Sequence, residues 1–315
     1  GYVTQEISIQ PTPGYEQNLK IRLMTPEEAV LAAMPTTIKT TQGLLMRLVS
    51  PGTFVMGAPR KDQGRRANET ERLIQITRPF YVGVREIINK EFRQFKPRHT
   101  SGAETFRELS NGLHPAVMLT WEEAVDFCQQ LSYRESLELA YEKINGQYQL
   151  IQPVTNGYRL LTEAEWEWLA RFNGGAGKQR YPWGESMPVA TESGNYADES
   201  GEGLIANVLT DYWDGYPVTS PAEKFNPSPL GIYDLGGNVA EWVNDYYVVY
   251  PTNLNQVELD PRGPGEGTVR VIRGSSWRHS SISSLRFTYR DYGTLGRLDV
   301  GFRIARYTDT SNIDE

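Results

Sequence analysis

The segment Leu230–Trp242, with the sequence LGIYDLGGNVAEW, constrains the fold of this chain more than any other stretch. Its centre, Gly236-Gly237, permits backbone conformations that residues with a Cβ avoid, so we predict a tight turn there. Two acidic side chains, Asp234 and Glu241, flank this turn. Carboxylates and outward-facing carbonyls beside such a turn can form the all-oxygen shell that Ca²⁺ prefers. On spacing alone, a plain turn with solvated acids is the favoured interpretation, because the segment lacks the EF-hand pattern.

Composition narrows the possible classes of protein. The 315 residues permit one large domain or two smaller ones, and a net charge of −7 argues against a nucleic-acid partner. No apolar run approaches the roughly 18 residues that a membrane span needs. The single cysteine, Cys128, excludes a disulfide framework within the chain. With 29 glycines and 19 prolines, we expect many loops and little regular secondary structure.

Three helices have clear start signals. Thr120 and Glu123 form a capping box that opens a helix ending near Arg134, and its apolar stripe places Cys128 in the core. A second box, Thr162 with Glu165, opens another helix. The acids in its first turn, Glu163, Glu165 and Glu167, are interpreted as structural, because such acids complement the helix dipole. A short helix is predicted after Thr25, which has a proline at the first helical position.

Other local patterns predict strands and one further helix. The stretch 44–57 predicts two strands around Pro51-Gly52. Arg60–Arg72 is rich in charges and is interpreted as a solvated loop. Asn89 is predicted to cap a helix that carries Phe92 and Phe95 on one face.

Several long motifs together resemble one family. LGIYDLGGNVAEW is similar to the GLYDMxGNVWEW signature of the formylglycine-generating-enzyme, or sulfatase-modifying factor, domain. The resemblance continues in the expected order through HPAVMLTWEEAVDFCQQLS, YRLLTEAEWEWLAR, YPWG, VIRGSSW and VGFRIAR. It implies an α+β, C-type-lectin-like fold with little regular secondary structure and long loops.

The N-terminal segment is predicted to be a separate small element. Residues 1–23 alternate weakly around a proline-glycine turn and resemble the end of a PEGA domain, a β module of bacterial envelope proteins. We therefore expect a PEGA-like module over 1–23, a linker over 24–43, the main domain over 44–308 and a tail over 309–315. The chain begins Gly-Tyr-Val-Thr without a signal peptide, so we interpret it as a fragment of a longer protein. The PEGA resemblance leads us to expect a periplasmic or cell-envelope location.

The family resemblance implies two calcium sites. In the first, Asn195 and Asp214 would contribute side-chain oxygens, and Tyr196 and Tyr216 would contribute backbone carbonyls. The second would use the side chains of Asp234 and Glu241 with the carbonyls of Gly237 and Val239. All these positions keep suitable oxygen donors. The alternative is that the loops persist without the ions.

The family's oxidase chemistry is not expected here. The resemblance implies that two cysteines after the RGGSW motif bind Cu(I), while O₂ converts a substrate cysteine to formylglycine. Soft thiolates select Cu(I), yet the corresponding segment, Arg273–Asp291, contains no cysteine. Cys128 lies on the predicted buried helix face and cannot replace them. We therefore predict neither bound copper nor formylglycine-generating activity.

The histidines do not indicate an iron site either. A related branch, the sulfoxide synthases of ergothioneine biosynthesis, uses a three-histidine HxxxHxE pattern for non-haem iron, and this pattern is absent. The three histidines present are His99, His114 and His279. His279 lies in the segment that carries the family's catalytic groups, where it could recognise a ligand or act as a base. A lone loop histidine is more often a surface group.

The same segment predicts a ligand-binding cleft, because it concentrates aromatic and arginine side chains that are typical binding anchors. The candidate cleft residues are Trp277, Arg278, His279, Arg286, Arg290, Asp291, Tyr292 and Arg297. For Trp277, Arg286 and Arg290 a framework role is favoured, since the resemblance places them in the family pattern.

Three hypotheses for function remain open. The first is a catalytically silent, calcium-binding member of the family that binds a protein, peptide or small molecule in the former active-site cleft. The second is an oxidoreductase of the same family with altered chemistry; one branch takes part in maturing the siderophore pyoverdine. The third is a structural component of the cell envelope.

Overall fold

The computed structural model describes residue 3, residues 23–172 and residues 178–308. The chain divides into two units, one formed by Gly1–Thr36 with Asp309–Glu315 and the other by Thr37–Thr308. In the first unit, helix α1 spans Pro26–Ala33, and Thr25 caps it through a reciprocal capping box with Glu28. The predicted short helix is thereby confirmed. The strands predicted over 1–23 fall almost entirely outside the described residues, as does the tail over 309–315.

Three α-helices form in the described part of the second unit, and two of them start as the sequence signals predict. Helix α3 spans Trp121–Arg134 behind the Thr120–Glu123 capping box, and helix α4 spans Glu163–Phe172, with Thr162 and Glu165 exchanging the same pair of hydrogen bonds. Both predictions are confirmed.

Helix α2 spans Asn89–Phe95 and begins one residue earlier than predicted. Its N-cap is Ile88, so the prediction that Asn89 is the cap was wrong. The Asn89 side chain points instead to another loop, where its amide donates to the carbonyls of Leu109 at 2.7 Å and Asn111 at 2.9 Å. Because the Asn89 side chain is hydrogen-bonded to these carbonyls, it does not cap the helix.

The strands are short, most of them three to five residues long. In chain order they are β1 Thr37–Lys39, β2 Leu45–Val49, β3 Gly52–Met56, β4 Arg72–Ile76, β5 Phe80–Gly83, β6 Tyr141–Ile144, β7 Gln147–Leu150, β8 Arg159–Leu160, β9 Ala240–Tyr246, β10 Asn253–Leu259, β11 Arg270–Arg273, β12 Arg290–Gly293, β13 Val300–Phe302 and β14 Ile304–Tyr307.

These strands form four sheets with non-local pairing. An antiparallel five-stranded sheet has the order β1-β2-β5-β14-β8, so β14 from the end of the unit lies between β5 and β8. A four-stranded sheet has the order β12-β11-β9-β13, and a three-stranded sheet has the order β10-β4-β3. Strands β6 and β7 form a separate hairpin. The predicted strands on either side of Pro51-Gly52 are confirmed as β2 and β3, but they enter different sheets.

The helices and sheets enclose the apolar core. Helix α3 buries the stripe that contains Cys128, and burial raises the pKa of this thiol well above its ordinary value. Two tryptophans join α3 to β9: the indole of Trp121 donates to the carbonyl of Val243 at 2.8 Å, and that of Trp242 donates to the carbonyl of Leu119 at 3.1 Å. Burying each such side chain contributes about 1.5–3 kcal/mol. The core therefore fixes β9, which directly follows the glycine turn.

Within the described ranges, no helix is both long enough and apolar enough to cross a membrane.

Candidate functional site

Buried ion pairs hold the segment Arg273–Asp291 in place. The Glu163 carboxylate, at the start of α4, accepts hydrogen bonds from Arg273 at 2.7 Å and from Arg290 at 2.6 and 2.9 Å. Burial opposes ionisation of Glu163, but the two guanidinium groups outweigh it and lower its pKa to about 2. The acid at the start of α4 thus has buried structural partners, and Arg290 is held in an ion pair that is consistent with the favoured framework role.

A second buried pair attaches the charged loop Arg60–Arg72 to the same segment. Arg286 donates to both oxygens of Glu69, at 2.6 and 2.5 Å, and to the carbonyl of Gly64 at 2.6 Å. Both side chains of the pair are fully buried. The interpretation of this loop as solvated was wrong for its C-terminal part, because Glu69 is the counter-ion of an arginine that is 217 residues away in sequence. Arg286 is thus a framework residue.

The glycine turn forms as predicted and lies at the junction of three segments. Gly237 has φ of +138°, and a Cβ at this position would lie 3.2 Å from the backbone of Asn195, so the turn requires glycine. The next residue, Asn238, donates its N–H to the carbonyl of Asn195 and accepts the N–H of Trp277 at its own carbonyl. The carbonyl of His279 accepts the N–H of Ala197. The predicted calcium loops and the predicted cleft are therefore directly connected.

The first predicted calcium set comes together in the fold. Asn195 is fully buried, and none of the described residues forms a hydrogen bond with its Oδ1. The Asp214 carboxylate accepts the N–H of Tyr196 at 2.9 Å and that of Tyr216 at 2.7 Å, which places all four residues at one locus. Burial raises the pKa of Asp214 to about 7. The orphaned amide oxygen of Asn195, and a carboxylate of Asp214 that pairs with no basic side chain among the described residues, fit a hard cation.

The second predicted calcium set has only part of the geometry that a calcium ion needs. Asp234 Oδ1 is buried and has no hydrogen-bond partner among the described residues, whereas Oδ2 accepts the N–H of Glu223 at 3.1 Å. The Glu241 carboxylate is differently placed. It accepts two hydrogen bonds from Arg303 Nε and a third from Nη2 at 2.7 Å, and the Trp166 indole donates to it at 3.0 Å. Glu241 is thus already the counter-ion of a buried arginine, and this arrangement does not fit a ligand role. Gly237 and Val239 lie in the turn and just after it, immediately before β9.

No group of three or more histidine, cysteine, aspartate or glutamate side chains with metal-binding geometry occurs in the described parts of the chain. Each predicted calcium set contains one or two such side chains and would take its remaining oxygens from an amide or from backbone carbonyls.

The predicted cleft residues separate into buried and accessible groups. Trp277 is buried, and its indole donates to the carbonyl of Leu298 at 3.1 Å. Arg278 is exposed, with its guanidinium 5.3 Å from the centre of the Trp277 ring. Tyr292 is 50% exposed and packs on Tyr247 with 4.4 Å between ring centroids. Arg278 and Tyr292 are therefore the side chains that a ligand can reach most easily.

Arg297 forms ion pairs with two acids, and hydrogen bonds connect these acids to the backbone of Tyr292 and, through Ser276, to that of Arg278. It donates to Asp291 at 2.7 Å and to both oxygens of Asp299, at 3.1 and 2.9 Å. Asp299 also accepts the hydroxyl of Ser276 at 3.0 Å. The pairing fixes the positions of Arg297 and Asp291, and two carboxylates on one guanidinium group leave one negative charge in surplus.

His279 is held as a neutral imidazole. Its Nδ1 accepts the N–H of Ser276 at 3.0 Å, and its ring packs edge-on against Tyr289 at 5.6 Å. Burial lowers the pKa of His279 despite the nearby Asp299 carboxylate. The Ser276 hydroxyl is 3.3 Å from the same Nδ1, which already accepts the backbone N–H, so the ring is poorly placed to activate it as a nucleophile.

Side chains outside the predicted cleft set complete the rim. The Arg66 guanidinium lies 4.8 Å from the centre of the Tyr289 ring. The Asn68 amide donates to the Tyr247 hydroxyl at 3.0 Å and to the carbonyl of Arg290 at 3.3 Å. Arg66, Asn68 and Tyr247 come from distant parts of the chain, in charged or loop-like stretches that are typical of solvated surface, whereas Tyr289 lies within the predicted segment itself. We define the rim as Arg66, Tyr247, Arg278, His279, Tyr289 and Tyr292.

Comparison with known proteins first defines the fold. The structure is similar to Treponema denticola variable protein 1, with a TM-score of 0.69 and 22% sequence identity, over 87% of this chain and 100% of that chain. The predicted α+β fold of the formylglycine-generating-enzyme type is confirmed. The chain belongs to the family of sulfatase-modifying factor enzyme 1-like domains, which matches residues 32–308.

Two related proteins share very different fractions of their length with this chain. The chain is 35% identical to a formylglycine-generating enzyme of Streptomyces coelicolor over 165 residues, which is 50% of this chain and 49% of that enzyme. It is 27% identical to the chaperone protein LppX of Paenibacillus barcinonensis over 310 residues, which is 91% of this chain and 98% of that protein. The chain thus spans half or less of the first two formylglycine-generating enzymes compared with it.

Proposed function

We propose that this chain is a polypeptide-binding member of its family that performs no copper-thiolate oxidation, and that calcium ties its loops together. The observation that carries the proposal is the rim. It offers the exposed side chains of Arg278 and Tyr292 on a support of buried arginine-carboxylate pairs, in a segment without cysteine. Aromatic and arginine side chains on a rigid base are typical binding anchors.

Two further features support a polypeptide as the ligand. The rim side chains combine flat aromatic rings with guanidinium groups, which suit the apolar groups, carbonyls and carboxylates of an extended chain. LppX, which shares nearly its whole length with this chain, is named as a chaperone. Proteins of that class bind other polypeptides, so the name favours this ligand class over a small molecule.

Calcium would support the rim indirectly. The first set, Asn195 and Asp214 with the carbonyls of Tyr196 and Tyr216, would hold an ion beside the loop that pairs with His279. An ion bound only by the native state stabilises that state by mass action. Removing calcium should therefore loosen the loop behind the rim.

The test is equilibrium binding of a reduced, carboxymethylated, fluorescently labelled unfolded protein, followed by anisotropy. We expect saturable binding that the double variant Arg278→Ala/Tyr292→Ala weakens by about tenfold or more, as loss of one or two anchors would. Tyr133→Ala is the matched control, because Tyr133 is 80% exposed on α3 and outside the rim. Equal binding by both variants would refute the rim as the binding site.

A further inference from the structure

Arg270, at the start of β11, is a buried arginine that forms no ion pair with any described residue. Its side chain belongs to a residue that is only 8% exposed, and burying an unpaired charge is strongly unfavourable. Elsewhere in the fold a glutamate pairs with each of the buried arginines Arg72, Arg159, Arg171, Arg273, Arg286, Arg290 and Arg303. Arg270 departs from this arrangement, so its charge needs another explanation.

Two aromatic rings hold the Arg270 guanidinium group in a fixed plane. Its central carbon lies 3.5 Å from the centre of the Trp121 ring and 3.3 Å from the centre of the Tyr246 ring. Two rings cannot share one face of the group at these distances, so they cover both faces and leave the N–H edge open. That edge donates to the carbonyls of Asn244 at 2.8 Å and Tyr148 at 3.3 Å. A guanidinium group has more donors than these two bonds use, so donors remain without an acceptor among the described residues.

Arg262 brings a second guanidinium group to the same place. Its Nε is buried without a hydrogen-bond partner among the described residues, and its side chain forms no ion pair with any of them. Asn244 links the two arginines, because its backbone carbonyl accepts from Arg270 and its side-chain amide donates to the carbonyl of Arg262 at 3.3 Å. Gly263 has φ of +75°, and a Cβ there would lie 2.8 Å from the Cβ of Asp245. The loop that carries Arg262 therefore lies directly on β9.

Both arginines line one cavity of about 120 Å³. The amide side chains of Gln149 and Gln152 also line it, and none of the described residues around the cavity is acidic. Gln152 and Gly265 are exposed, so solvent reaches the cavity. A cavity of this volume can hold several water molecules, and a compact ion fits equally well. The chain thus presents a positively charged cavity, although its net charge is −7.

The acids closest to this cavity do not neutralise it. Asp245, the next residue on β9, accepts the N–H of Glu163 at 2.9 Å through its Oδ2. Glu122 is exposed and lines an adjacent cavity of about 140 Å³. Burial lowers the pKa of Arg270 despite the negative charges in its surroundings. Two guanidinium groups therefore remain without a counter-ion in the described part of the chain.

We propose that Arg262 and Arg270 bind a phosphate group. This tetrahedral anion carries about −1.5 to −2 charge near neutral pH, so it neutralises both guanidinium groups, whereas a single carboxylate would neutralise only one. Its oxygens accept hydrogen bonds in pairs from forked guanidinium donors, and here they would accept the donors that lack a partner. The site shares no residue with the rim or with either predicted calcium set, so the inference goes beyond the proposed function.

The competing account is that both arginines are only structural. Arg270 would then fill the space between Trp121 and Tyr246, and Arg262 would be solvated. This account predicts that phosphate binds no more tightly than chloride at equal ionic strength, and that replacing Arg262 has no effect on anion binding. Inorganic phosphate and glycerol 3-phosphate are the two probes, because they separate a free ion from the phosphate group of a larger molecule.

The experiment is isothermal titration calorimetry of the whole chain in a chloride buffer of fixed ionic strength without added calcium. We expect one phosphate group to bind per chain. Arg262→Met should weaken this binding by about tenfold or more, because it removes charge-assisted hydrogen bonds. Arg270→Lys should weaken it as well, because it keeps the charge but removes the forked donors. Arg98→Met is the matched control and should bind like the wild type, since Arg98 is exposed and does not line the cavity.

The two probes also identify the source of the phosphate group. Tighter binding of glycerol 3-phosphate would assign the site to a phosphorylated compound, and tighter binding of inorganic phosphate would assign it to the free ion. Three results would overturn the inference: no saturable binding of either probe, equal binding by the wild type and Arg262→Met, or binding of the dicarboxylate succinate as tight as that of phosphate. Arg262→Met decides the test even if Arg270→Lys does not fold, because Arg262 is partly exposed and has no ion pair with a described residue to lose.

Discussion

Replacing Arg286 by methionine should destabilise the domain strongly, although this arginine lies in the segment that we expected to bind ligands. The substitution keeps much of the apolar volume but removes the donors to Glu69, Gly64 and Thr288. It leaves the Glu69 carboxylate buried beside no cation, a situation that typically costs about 3–5 kcal/mol. Globular domains have roughly 5–15 kcal/mol of stability in total, so the loss is a large fraction of it. Tm should fall by on the order of 10 °C.

The assay is urea denaturation followed by circular dichroism on the wild type, Arg286→Met, Glu69→Gln and the double variant. Because Glu69→Gln removes the stranded charge, the double variant should be more stable than the sum of the single effects predicts, by about 1–3 kcal/mol. Arg278→Met is the matched control, since Arg278 is exposed in the same segment and should change stability by less than about 0.5 kcal/mol. A cost below about 1 kcal/mol for Arg286→Met would refute the assignment of this residue to the framework.

Three further predictions concern pH, thiol reactivity and calcium. Burial raises the pKa of Asp245 from 3.8 to about 7. The contribution of protonated Asp245 to the free energy of unfolding is therefore fully present below pH 3.8 and is lost as the pH rises through 7. Asp245→Asn should therefore be more stable than the wild type at pH 8 by roughly 2–4 kcal/mol and should show little gain at pH 4, as urea denaturation at the two pH values will reveal. The Cys128 thiol should react with Ellman's reagent only at the rate of unfolding, whereas rapid labelling of the folded chain would contradict its burial. EDTA should lower the Tm of the wild type, and an unchanged Tm would count against both calcium sets.

The sequence predicted the helices well because a helix start depends on residues that are close together in sequence. A capping box needs only a threonine and a glutamate three residues later, and the boxes at Thr25, Thr120 and Thr162 all form. The exception, Asn89, failed because distant carbonyls accept its side-chain amide. The sheets depend on pairing that no local pattern encodes. Strand β14, for example, inserts between β5 and β8, more than 140 residues away in sequence.

The candidate site was predictable where a motif carries it and not where tertiary contacts assemble it. The glycine turn and the convergence of Asn195 with Asp214 follow from the motifs. The ion-pair partners of the charged residues do not follow from the motifs. Glu69 pairs with Arg286, which is 217 residues away in sequence, and Glu241 pairs with Arg303, which is 62 residues away. Glu86 follows β5 directly after Arg85, and the sequence does not predict that its carboxylate is buried without a hydrogen-bond partner among the described residues.

The most direct test of the central claim measures binding and chemistry on the same molecule. The chain is loaded with Cu(I) and incubated in air with an unfolded polypeptide whose cysteines are reduced, and mass spectrometry then quantifies both the retained polypeptide and the state of its cysteines. We predict that the polypeptide is retained with no cysteine converted to formylglycine. Conversion of a cysteine to formylglycine would contradict the account, and so would failure to retain the polypeptide.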